Sequence, residues 1–279
     1  MKILRILLRA FTTSFHVRGR HRLANKLGNI LAPNAEEQID IDGIKLPIDH
    51  NIAMYRYIYY GVYEEEFVSL LRRIIKQGDV VIEPGANVGY ITAILSSLVG
   101  ENGKVFSLEP SNICYKKIVS YLTKPNIILM NYAIADIDGE LNFIDKEIVI
   151  SQGYSAFSEF AGKRETDNEY LIPTITVDTL IAKNNLKQIK LLKLDVEGAE
   201  LMALKGASKA LSNKQIDYIL VETAFIDVYK SLNQEVHVIL TKSGYDCYLM
   251  TTNGLKKFDF TKEEGSRHDV IWTCLKQYD

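Results

Sequence analysis

Cysteine, tryptophan and proline are scarce in this chain. Its 279 residues include three cysteines, one tryptophan and six prolines. Cys114, Cys247 and Cys274 lie far apart and form no CxxC pair, which argues against a disulfide framework and against a cysteine-bound metal. We expect them to behave as small buried apolar residues. A cytoplasmic location, where thiols stay reduced, fits this pattern of cysteine use.

Acidic residues are missing from the first 35 positions, and the chain has no internal repeat or low-complexity segment. Hydrophobic residues make up 47% and charged residues 24% of the chain, which is ordinary for a globular protein that buries a substantial core. The first 35 residues contain seven lysines and arginines, so a net charge of −2 leaves −9 for residues 36–279. Because the body is acidic, we expect it not to bind nucleic acid.

The first 15 residues predict an amphipathic helix. Its apolar stripe consists of Ile3, Leu4, Leu7, Leu8, Phe11 and Phe15, and its polar side of Arg5, Arg9, Thr12 and Thr13. The arginines interrupt the apolar run and no small-residue cleavage site follows, so a secretory signal fits badly. The run is also too short to span a bilayer. Two interpretations stay open. The stripe packs on the rest of the chain or on a second subunit, or residues 1–26 dock on anionic lipid at the inner face of the membrane.

Strands and helices alternate along most of the chain after this segment. Short apolar runs predict strands at 79–83, 104–109, 127–131, 190–195, 216–222, 245–250 and 269–275. Helical periodicity is found at 64–76, 89–99, 112–122, 178–185, 199–211 and 229–243. This order predicts an α/β fold with a mostly parallel sheet and helices on both faces. A loop joins the last two strands, so one of them is expected to be antiparallel.

The chain is expected to divide into three segments, 1–35, 36–78 and 79–279. In the first, residues 16–35 are predicted to be a basic connector that ends at Pro33. The second contains a hairpin around Asp42-Gly43, because apolar and polar residues alternate on both sides of that turn. In the third, residues 141–176 break the alternation and predict an insertion over the edge of the sheet.

A glycine turn follows the first strand of the predicted main sheet, in the sequence "VVIEPGANVGY". The strand ends at Glu83, and Gly85 and Gly89 let the backbone approach a ligand where a Cβ would collide. Such turns bind ligands beyond the carboxyl ends of parallel strands. The spacing is E-x-G-x-N-x-G, however, and Asn87 occupies the place where a dinucleotide turn has its second glycine. A pyrophosphate is therefore not the expected ligand.

The next strand ends in a second acid, Glu109, which lies 20 residues after Gly89. An acid at this place accepts hydrogen bonds from both hydroxyls of a ribose in dinucleotide folds. Together with Glu83 and the glycine turn, it suits a ligand that has a ribose and a positively charged amino-acid end. S-adenosylmethionine has both. The alternative is that Glu83 only caps the helix and Glu109 is a solvated strand end.

A third stretch, "IKLLKLDVEGAE", ends an apolar strand in charged residues and then enters a helix. Alternation puts Lys193, Asp195 and Glu197 on one face of the strand end. Three charged side chains would be costly if they were buried without partners. They are therefore expected at the rim of a site.

These motifs, in this order, closely resemble the FkbM family of S-adenosylmethionine-dependent methyltransferases. The resembling pieces are "GVYEEE" (61–66), "EPGANVGY" (83–90), "SLEPS" (107–111), "NYAIADIDGEL" (131–141), "TVDTL" (176–180), "KLDVEGAELMALKGA" (193–207), "VETAF" (221–225) and "HDVIW" (268–272). The resemblance implies a Rossmann-like class I methyltransferase fold with a mostly parallel seven-stranded sheet, in which residues 79–279 form the methyltransferase domain. One position departs from the family, whose first motif usually opens with Asp where this chain has Glu83.

The resemblance also implies roles for residues in the binding of the cofactor, S-adenosylmethionine. By position, the methionine end would be held by Glu83, Gly85, Asn87 and Gly89, the ribose by Glu109 and the adenine side by Ala133. Tyr63 and Glu64 would close the cofactor from the side, and Asp195 would lie next to it.

The implied reaction is methyl transfer to an oxygen of a small-molecule or glycan acceptor, often a sugar hydroxyl. Because a sugar hydroxyl is a poor nucleophile, a base that takes its proton would assist the reaction. The candidates, in order of preference, are Asp195 and Glu197, then Glu222 and His268, with Lys193 orienting the acceptor or lowering a neighbouring pKa. Alternatively, Mg²⁺ held by Asp195, Glu197 and Glu222 would acidify the acceptor.

Two other classes of function remain as alternatives. The first is a nucleotide-binding oxidoreductase domain, which would need the missing middle glycine to bind NAD. The second is a non-catalytic scaffold that docks on membranes through residues 1–26. It predicts loss of the cofactor residues, yet Glu83, Gly85, Gly89 and Glu109 are all present.

Overall fold

The computed structural model describes residues 2–15, 19–32, 37–145, 156–157, 168–196, 198–224, 230–251, 254–259 and 267–276. Its strands are β1 (Glu37–Ile41), β2 (Ile44–Ile48), β3 (Val80–Pro84), β4 (Lys104–Leu108), β5 (Ile127–Met130), β6 (Ala133–Ile134), β7 (Gly139–Asp145), β8 (Ala156–Phe157), β9 (Asn168–Ile175), β10 (Ile189–Leu194), β11 (Ile216–Ala224), β12 (Asp246–Thr251), β13 (Gly254–Lys257) and β14 (Arg267–Thr273).

The helices lie mostly between these strands. They are α1 (Lys2–Ser14), α2 (Arg20–Ile30), α3 (Ala53–Tyr59), α4 (Glu65–Ile74), α5 (Tyr90–Val99), α6 (Asn112–Val119), α7 (Val177–Lys183), α8 (Glu200–Lys205), α9 (Ser208–Ser212) and α10 (Lys230–Lys242). Within the described ranges, none of them combines the length and the apolar character that a membrane crossing requires.

A mixed sheet of eight strands forms the centre of the molecule, in the order β13-β12-β14-β11-β10-β3-β4-β5. The five strands from β11 to β5 run parallel to one another. Strand β14 is antiparallel to both β11 and β12, and β13 is antiparallel to β12. The seven predicted strands are all present, but the sheet is larger and more mixed than the predicted seven-stranded one. The additional strand is β13, whose four residues, "GLKK", carry no apolar alternation.

Helices cover both faces of this sheet. On one face, apolar residues of β3, β4, β10 and β11 pack against α4 and α5 in one buried cluster. On the other face, a larger cluster joins the same strands to α7, α8, α9 and α10. This second cluster contains Trp272, the single tryptophan, which is 1% exposed and lies 5.6 Å from the ring of His237. Burial on both faces explains the nearly continuous apolar runs of the parallel strands.

The residues before α4 form a separate layer of helices and a hairpin. As predicted, β1 and β2 pair antiparallel around Asp42-Gly43, both of which have positive φ angles. The prediction of a connector at 16–35 is wrong, because residues 20–30 form α2. This helix buries Ala24 and Gly28, which are four residues apart and lie on one face, and a Cβ on Gly28 would lie 2.5 Å from the ring of Tyr60. Close packing on its neighbours therefore stabilises α2.

A second sheet coincides with the interruption predicted at 141–176. It has four strands in the order β6-β9-β7-β8, and β7 and β9 form a seven-residue antiparallel ladder between Gly139 and Asp145. Its apolar residues pack with Ala199, which follows β10. The interruption is therefore not only a loop: it contributes a sheet beside the carboxyl ends of β5 and β10.

Candidate active site

The glycine turn lies at the point where the strand order of the main sheet reverses. From β3 the chain moves to β4 and β5 on one side, and it returns to β10 and β11 on the other. The Gly85 backbone, with φ +82°, lies directly against the carbonyl oxygen of Asp195. Gly89, with φ +68°, precedes α5 and lies against Leu122. Ligands of open α/β sheets bind at such a reversal, beyond the carboxyl ends of the strands.

Glu83 is buried at the end of β3 and is only partly satisfied. One carboxylate oxygen accepts hydrogen bonds from the hydroxyls of Thr92, at 2.6 Å, and Ser107, at 2.7 Å. The other oxygen, Oε1, is buried and has no hydrogen-bond partner within the described residues. Burial raises the pKa of Glu83 to about 7, although the charge of Lys193 and the two hydroxyls oppose the shift. A buried carboxylate oxygen without a donor is costly, so this position suits a ligand that brings one.

Glu109 is buried at the end of β4, where it fastens the glycine turn. Its Oε2 accepts the backbone N–H of Asn87 at 2.6 Å, and its Oε1 accepts that of Ser111 at 2.8 Å. Burial raises the pKa of Glu109 to about 7, against the effect of these two hydrogen bonds. Each carboxylate oxygen has a second lone pair, so Glu109 retains acceptor capacity for two hydroxyls. The alternative of a solvated strand end is wrong, because Glu109 is 5% exposed.

Lys193 and Asp195 form an ion pair at the end of β10, with 2.8 Å between Nζ and Oδ2. The lysine is buried and about a third of the aspartate side chain is exposed. Burial alone would lower the pKa of Lys193, but the charges of Asp195, Glu64 and Glu83 together raise it. The two side chains therefore share one face of the strand end, as alternation predicts, and the partner that reaches solvent is Asp195.

Tyr63 and Glu64 connect the amino-terminal layer to this site. The ring of Tyr63 lies 5.8 Å from that of Tyr90, edge to face, at the start of α5. Glu64 has a left-handed backbone with φ +45°, a conformation that costs about 1–3 kcal/mol in a non-glycine residue. Its charge acts on both Tyr90 and Lys193. The segment predicted to close the site from the side is therefore next to it.

Ala133 lies in β6 of the second sheet and is buried. It pairs with Thr174 of β9 and packs in a cluster with Phe143, Ile172 and Ala199. Just before it, the side-chain amide of Asn131 donates to the carbonyl oxygen of Glu109 at 2.9 Å. The second sheet thus lies beside the acid at the end of β4.

Three further candidates are less completely described. Glu222 follows Val221, which pairs with Leu194, so it lies level with Asp195 on the neighbouring parallel strand. His268 lies on the antiparallel strand β14, where its backbone pairs with that of Thr223 on β11. The side chain of His268 is outside the described part of the chain. Glu197 is also outside the described residues. Among the described residues, no three metal-ligating side chains form a cluster. This finding does not apply to the full magnesium set, because that set includes Glu197.

Sequence reasoning missed the residues that support these acids. Thr92 and Ser107 hold Glu83, and the backbone at 196 and 198 is held by the carboxylate of Glu200. The buried carboxylate of Asp145, at the end of β7, accepts hydrogen bonds from Ser111 at 2.9 Å and from Tyr170 at 3.0 Å. Alternation in "VFSLEP" places Ser107 on the same face as Glu109, which indicates that it faces the site but not that it contacts Glu83. The other contacts join residues far apart in sequence.

The sequence of the chain is similar to those of known methyltransferases. The sequence profile of the methyltransferase FkbM domain matches residues 83–247, which is more than half of the chain. The chain is 25% identical over 161 residues to the hexuronic acid methyltransferase AglP of Haloferax volcanii; the match covers 57% of this chain and 62% of the relative's length.

Two solved structures show looser similarity. The methyltransferase FkbM of Methylobacillus flagellatus KT is 14% identical, with a TM-score of 0.44 over 91% of this chain and 59% of that one. The fibrillarin of Aeropyrum pernix, solved with natively bound S-adenosyl-L-methionine, is 14% identical, with a TM-score of 0.38 over 74% of this chain and 73% of that one.

Proposed function

Because the chain belongs to the FkbM family of S-adenosylmethionine-dependent methyltransferases, we propose that it methylates a hydroxyl of a sugar or glycan. The observation that carries this proposal is the Lys193–Asp195 pair, which lies at the reversal of strand order against the Gly85 turn. A partly exposed acid at this point is positioned for proton transfer beside a bound cofactor. The hexuronic acid methyltransferase among the relatives supports a sugar as the acceptor class.

The residues present fit S-adenosylmethionine. Among the described residues, nothing donates to one buried carboxylate oxygen of Glu83, which suits the positively charged amino end of the methionine part. The buried side-chain oxygen of Asn87 likewise has no hydrogen-bond partner in the described ranges. Gly85 and Gly89 place no side chain at their two positions of the turn, and the spare acceptor capacity of Glu109 suits the ribose hydroxyls. When bound, the cofactor supplies a methyl group that its sulfonium has already activated.

The flank of the cofactor site is assigned to the remaining predicted residues. Ala133 presents a small apolar surface suited to the adenine, and Tyr63 and Glu64 close the site from the amino-terminal layer. Their positions next to Glu109 and Lys193 support these roles. The closing residues also exclude water, which raises the strength of the charge interactions inside the site.

Asp195 is the proposed general base, which takes the proton of the acceptor hydroxyl. It is the exposed partner of the ion pair, while buried Lys193 fixes its orientation through the 2.8 Å hydrogen bond. Glu197 is the second choice, and Glu222, level with Asp195 on β11, is the third. His268 is the last candidate for the base, and it is proposed because its strand, β14, is adjacent to β11.

Magnesium dependence is the second form of this proposal, with Asp195, Glu197 and Glu222 as hard oxygen ligands. It is favoured by the level positions of Asp195 and Glu222 on adjacent strands. Activity that survives exhaustive treatment with EDTA would exclude it. Loss of activity that Mg²⁺ alone restores would support it.

The test is methylation of defined acceptors by the purified chain. We expect S-adenosylhomocysteine release and a mass gain of one methyl group with oligosaccharides that contain hexuronic acid. The matched control is the Asp195→Asn variant, which should bind the cofactor and release little product. Mild alkali then distinguishes a stable methyl ether at a hydroxyl from a labile ester at a carboxylate. A labile product would overturn the hydroxyl assignment.

Calorimetry separates this function from the two alternatives. We expect heat on titration with S-adenosylmethionine and S-adenosylhomocysteine, and none with NAD. Binding of NAD alone would favour an oxidoreductase domain, because the Asn87 position would then have accommodated a pyrophosphate. Binding of none of the three would favour a non-catalytic scaffold.

A further inference from the structure

Helix α1 is attached to the rest of the chain through its polar side. The guanidinium of Arg5 is buried, donates to the carbonyl oxygen of Leu31 at 3.1 Å and pairs with Glu37. The hydroxyl of Thr12 is buried and donates to the carbonyl oxygen of Tyr60 at 2.7 Å. Soluble helices usually bury their apolar face. This helix is oriented the other way round.

The apolar side of α1 therefore faces outward. Its exposed residues are Ile3, Leu4, Ile6, Leu7, Phe11 and Phe15, whose exposed fractions range from 38% to 73%. Within the predicted stripe, the buried member is Leu8. Positions 3, 7 and 11, together with 4 and 15, follow the helical repeat and form one continuous strip. Apart from Leu8, the stripe therefore does not pack on the described part of the chain, contrary to the first interpretation.

Two further apolar residues are exposed near the end of the neighbouring helix. The hydrogen bond from Arg5 to Leu31 holds the carboxyl end of α2 beside the start of α1. At that end, Leu27 and Ile30 are exposed, Ile30 by 62%. An exposed apolar strip such as that of α1 marks an interaction site on a folded protein.

Helices α1 and α2 carry a net positive charge. Among the first 35 residues there are seven lysines and arginines and no acid. Arg5 and Arg20 are buried and paired with Glu37 and Glu65. Those that remain exposed on α1 and α2 are Lys2, Arg9, Arg22 and Lys26. The surface thus combines apolar residues with cationic ones, which is the composition of interfacial membrane helices.

We propose that α1 lies in the plane of a membrane surface that contains anionic lipid, with its apolar strip in the acyl boundary. The exposed cations then meet the lipid headgroups. A second copy of the chain is a poorer partner, because a symmetric contact through this strip would bring two sets of like charges together. The docking goes beyond methyl transfer, and its test does not require the acceptor to be known.

The test is flotation of the full chain with vesicles of phosphatidylcholine, with and without phosphatidylglycerol. We expect binding to the anionic vesicles that weakens with salt. The Leu4→Ser, Leu7→Ser double variant should bind at least about tenfold more weakly, since it loses apolar area without a change of charge. Its matched control is Val119→Ser, Ile137→Ser, which removes two similarly exposed apolar residues elsewhere and should bind like the wild type.

A second pair of substitutions tests the charges. Arg22→Ser, Lys26→Ser should lower binding to anionic vesicles about tenfold or more and leave binding to neutral vesicles unchanged. All variants should keep the S-adenosylmethionine affinity of the wild type, which shows that they are folded and separates failure of docking from failure of the proposed function. The proposal would be overturned if the wild-type chain did not float with anionic vesicles at low salt. It would also be overturned if the Leu4→Ser, Leu7→Ser variant floated as well as the wild type. The same holds if the wild type is a dimer and this variant is a monomer.

Discussion

The backbone of Gly85 touches the end of β10, so closely that a Cβ on Gly85 would overlap the carbonyl oxygen of Asp195. Gly85 also has φ +82°, which a residue with a side chain rarely adopts. The turn after β3 and the acid after β10 therefore form one continuous surface, and the position of the first fixes that of the second.

We expect Gly85→Ala to lower the free energy of unfolding and to weaken S-adenosylmethionine binding, because the turn must move away from Asp195. The matched control is Gly78→Ala. Gly78 has φ +88°, but among the described residues no atom beyond its chain neighbours lies within 4 Å of the place that a Cβ would occupy. Gly78→Ala should therefore cost only the backbone penalty of about 1–2 kcal/mol. Chemical denaturation and calorimetry measure both effects. Equal losses in the two variants would contradict the contact argument.

Glu109→Gln should weaken S-adenosylmethionine binding by about 1–3 kcal/mol, because the charge that accepts the ribose hydroxyls is lost. The variant also puts an amide nitrogen opposite one of the backbone donors at Asn87 and Ser111. Calorimetry gives the affinity, and the exposed Glu101→Gln provides a control for the loss of one charge. Wild-type affinity in the folded Glu109 variant would refute the ribose assignment.

Cofactor affinity should fall as the pH drops from 8 to 6. The pKa of Glu109 is raised to about 7 by burial, so below that pH the Glu109 carboxyl is protonated in the protein without cofactor. The ribose hydroxyls, by contrast, bind the carboxylate form. The titration of this one group can lower the cofactor affinity by at most about tenfold per pH unit. Calorimetry in buffers of different ionisation enthalpy should show proton release near pH 7. Glu83 has the same raised pKa, so Glu109→Gln should remove part of the dependence.

The same shift affects stability with the opposite sign. In the unfolded chain the carboxyl titrates near its ordinary value of 4.5. Between about pH 4.5 and 7 the folded protein therefore holds a proton that the unfolded chain has lost. The contribution of Glu109 to stability thus decreases as the pH rises through this window. A contribution that increased would contradict a raised pKa.

The two members of the ion pair should respond differently to substitution. Asp195→Asn should retain cofactor binding and reduce turnover about 10²–10⁴-fold if Asp195 is the base. Lys193→Met should instead lower the free energy of unfolding, because it leaves buried Glu83 without its nearby cation. Removing one member of a buried pair typically costs about 3–5 kcal/mol, and this value is an upper estimate since Asp195 is partly exposed. Normal turnover of Asp195→Asn would exclude the base role.

Much of the fold follows from local pattern, and the exceptions have identifiable causes. The apolar runs at β3, β4, β10 and β11 are buried on both faces, so each is visible as a strand in sequence. Helix α2 is not visible in this way, because its burial depends on two small residues, Ala24 and Gly28, rather than on an apolar stripe. The strand β13 has no apolar pattern, since it lies at the edge of the sheet.

The site divides in the same way. Glu83, Glu109 and Asp195 end apolar strands, and that position alone indicates where their side chains meet. The hydrogen bonds that hold them do not follow from the sequence. Ser107 contacts an acid 24 residues away, and Asp145 contacts a serine 34 residues away. Such contacts depend on how strands and helices pack in three dimensions, which local periodicity does not encode.

The position of Trp272 gives this protein an internal optical reporter. It is the single tryptophan, it is almost fully buried, and it lies in the central sheet, packed with the cluster that joins β11 to α10. Indole emission shifts to longer wavelength when the ring passes from an apolar interior into water. The emission of Trp272 therefore reports the unfolding of the central sheet without an added label. Substitutions at the glycine turn can be ranked by their effect on this emission, which arises elsewhere in the core.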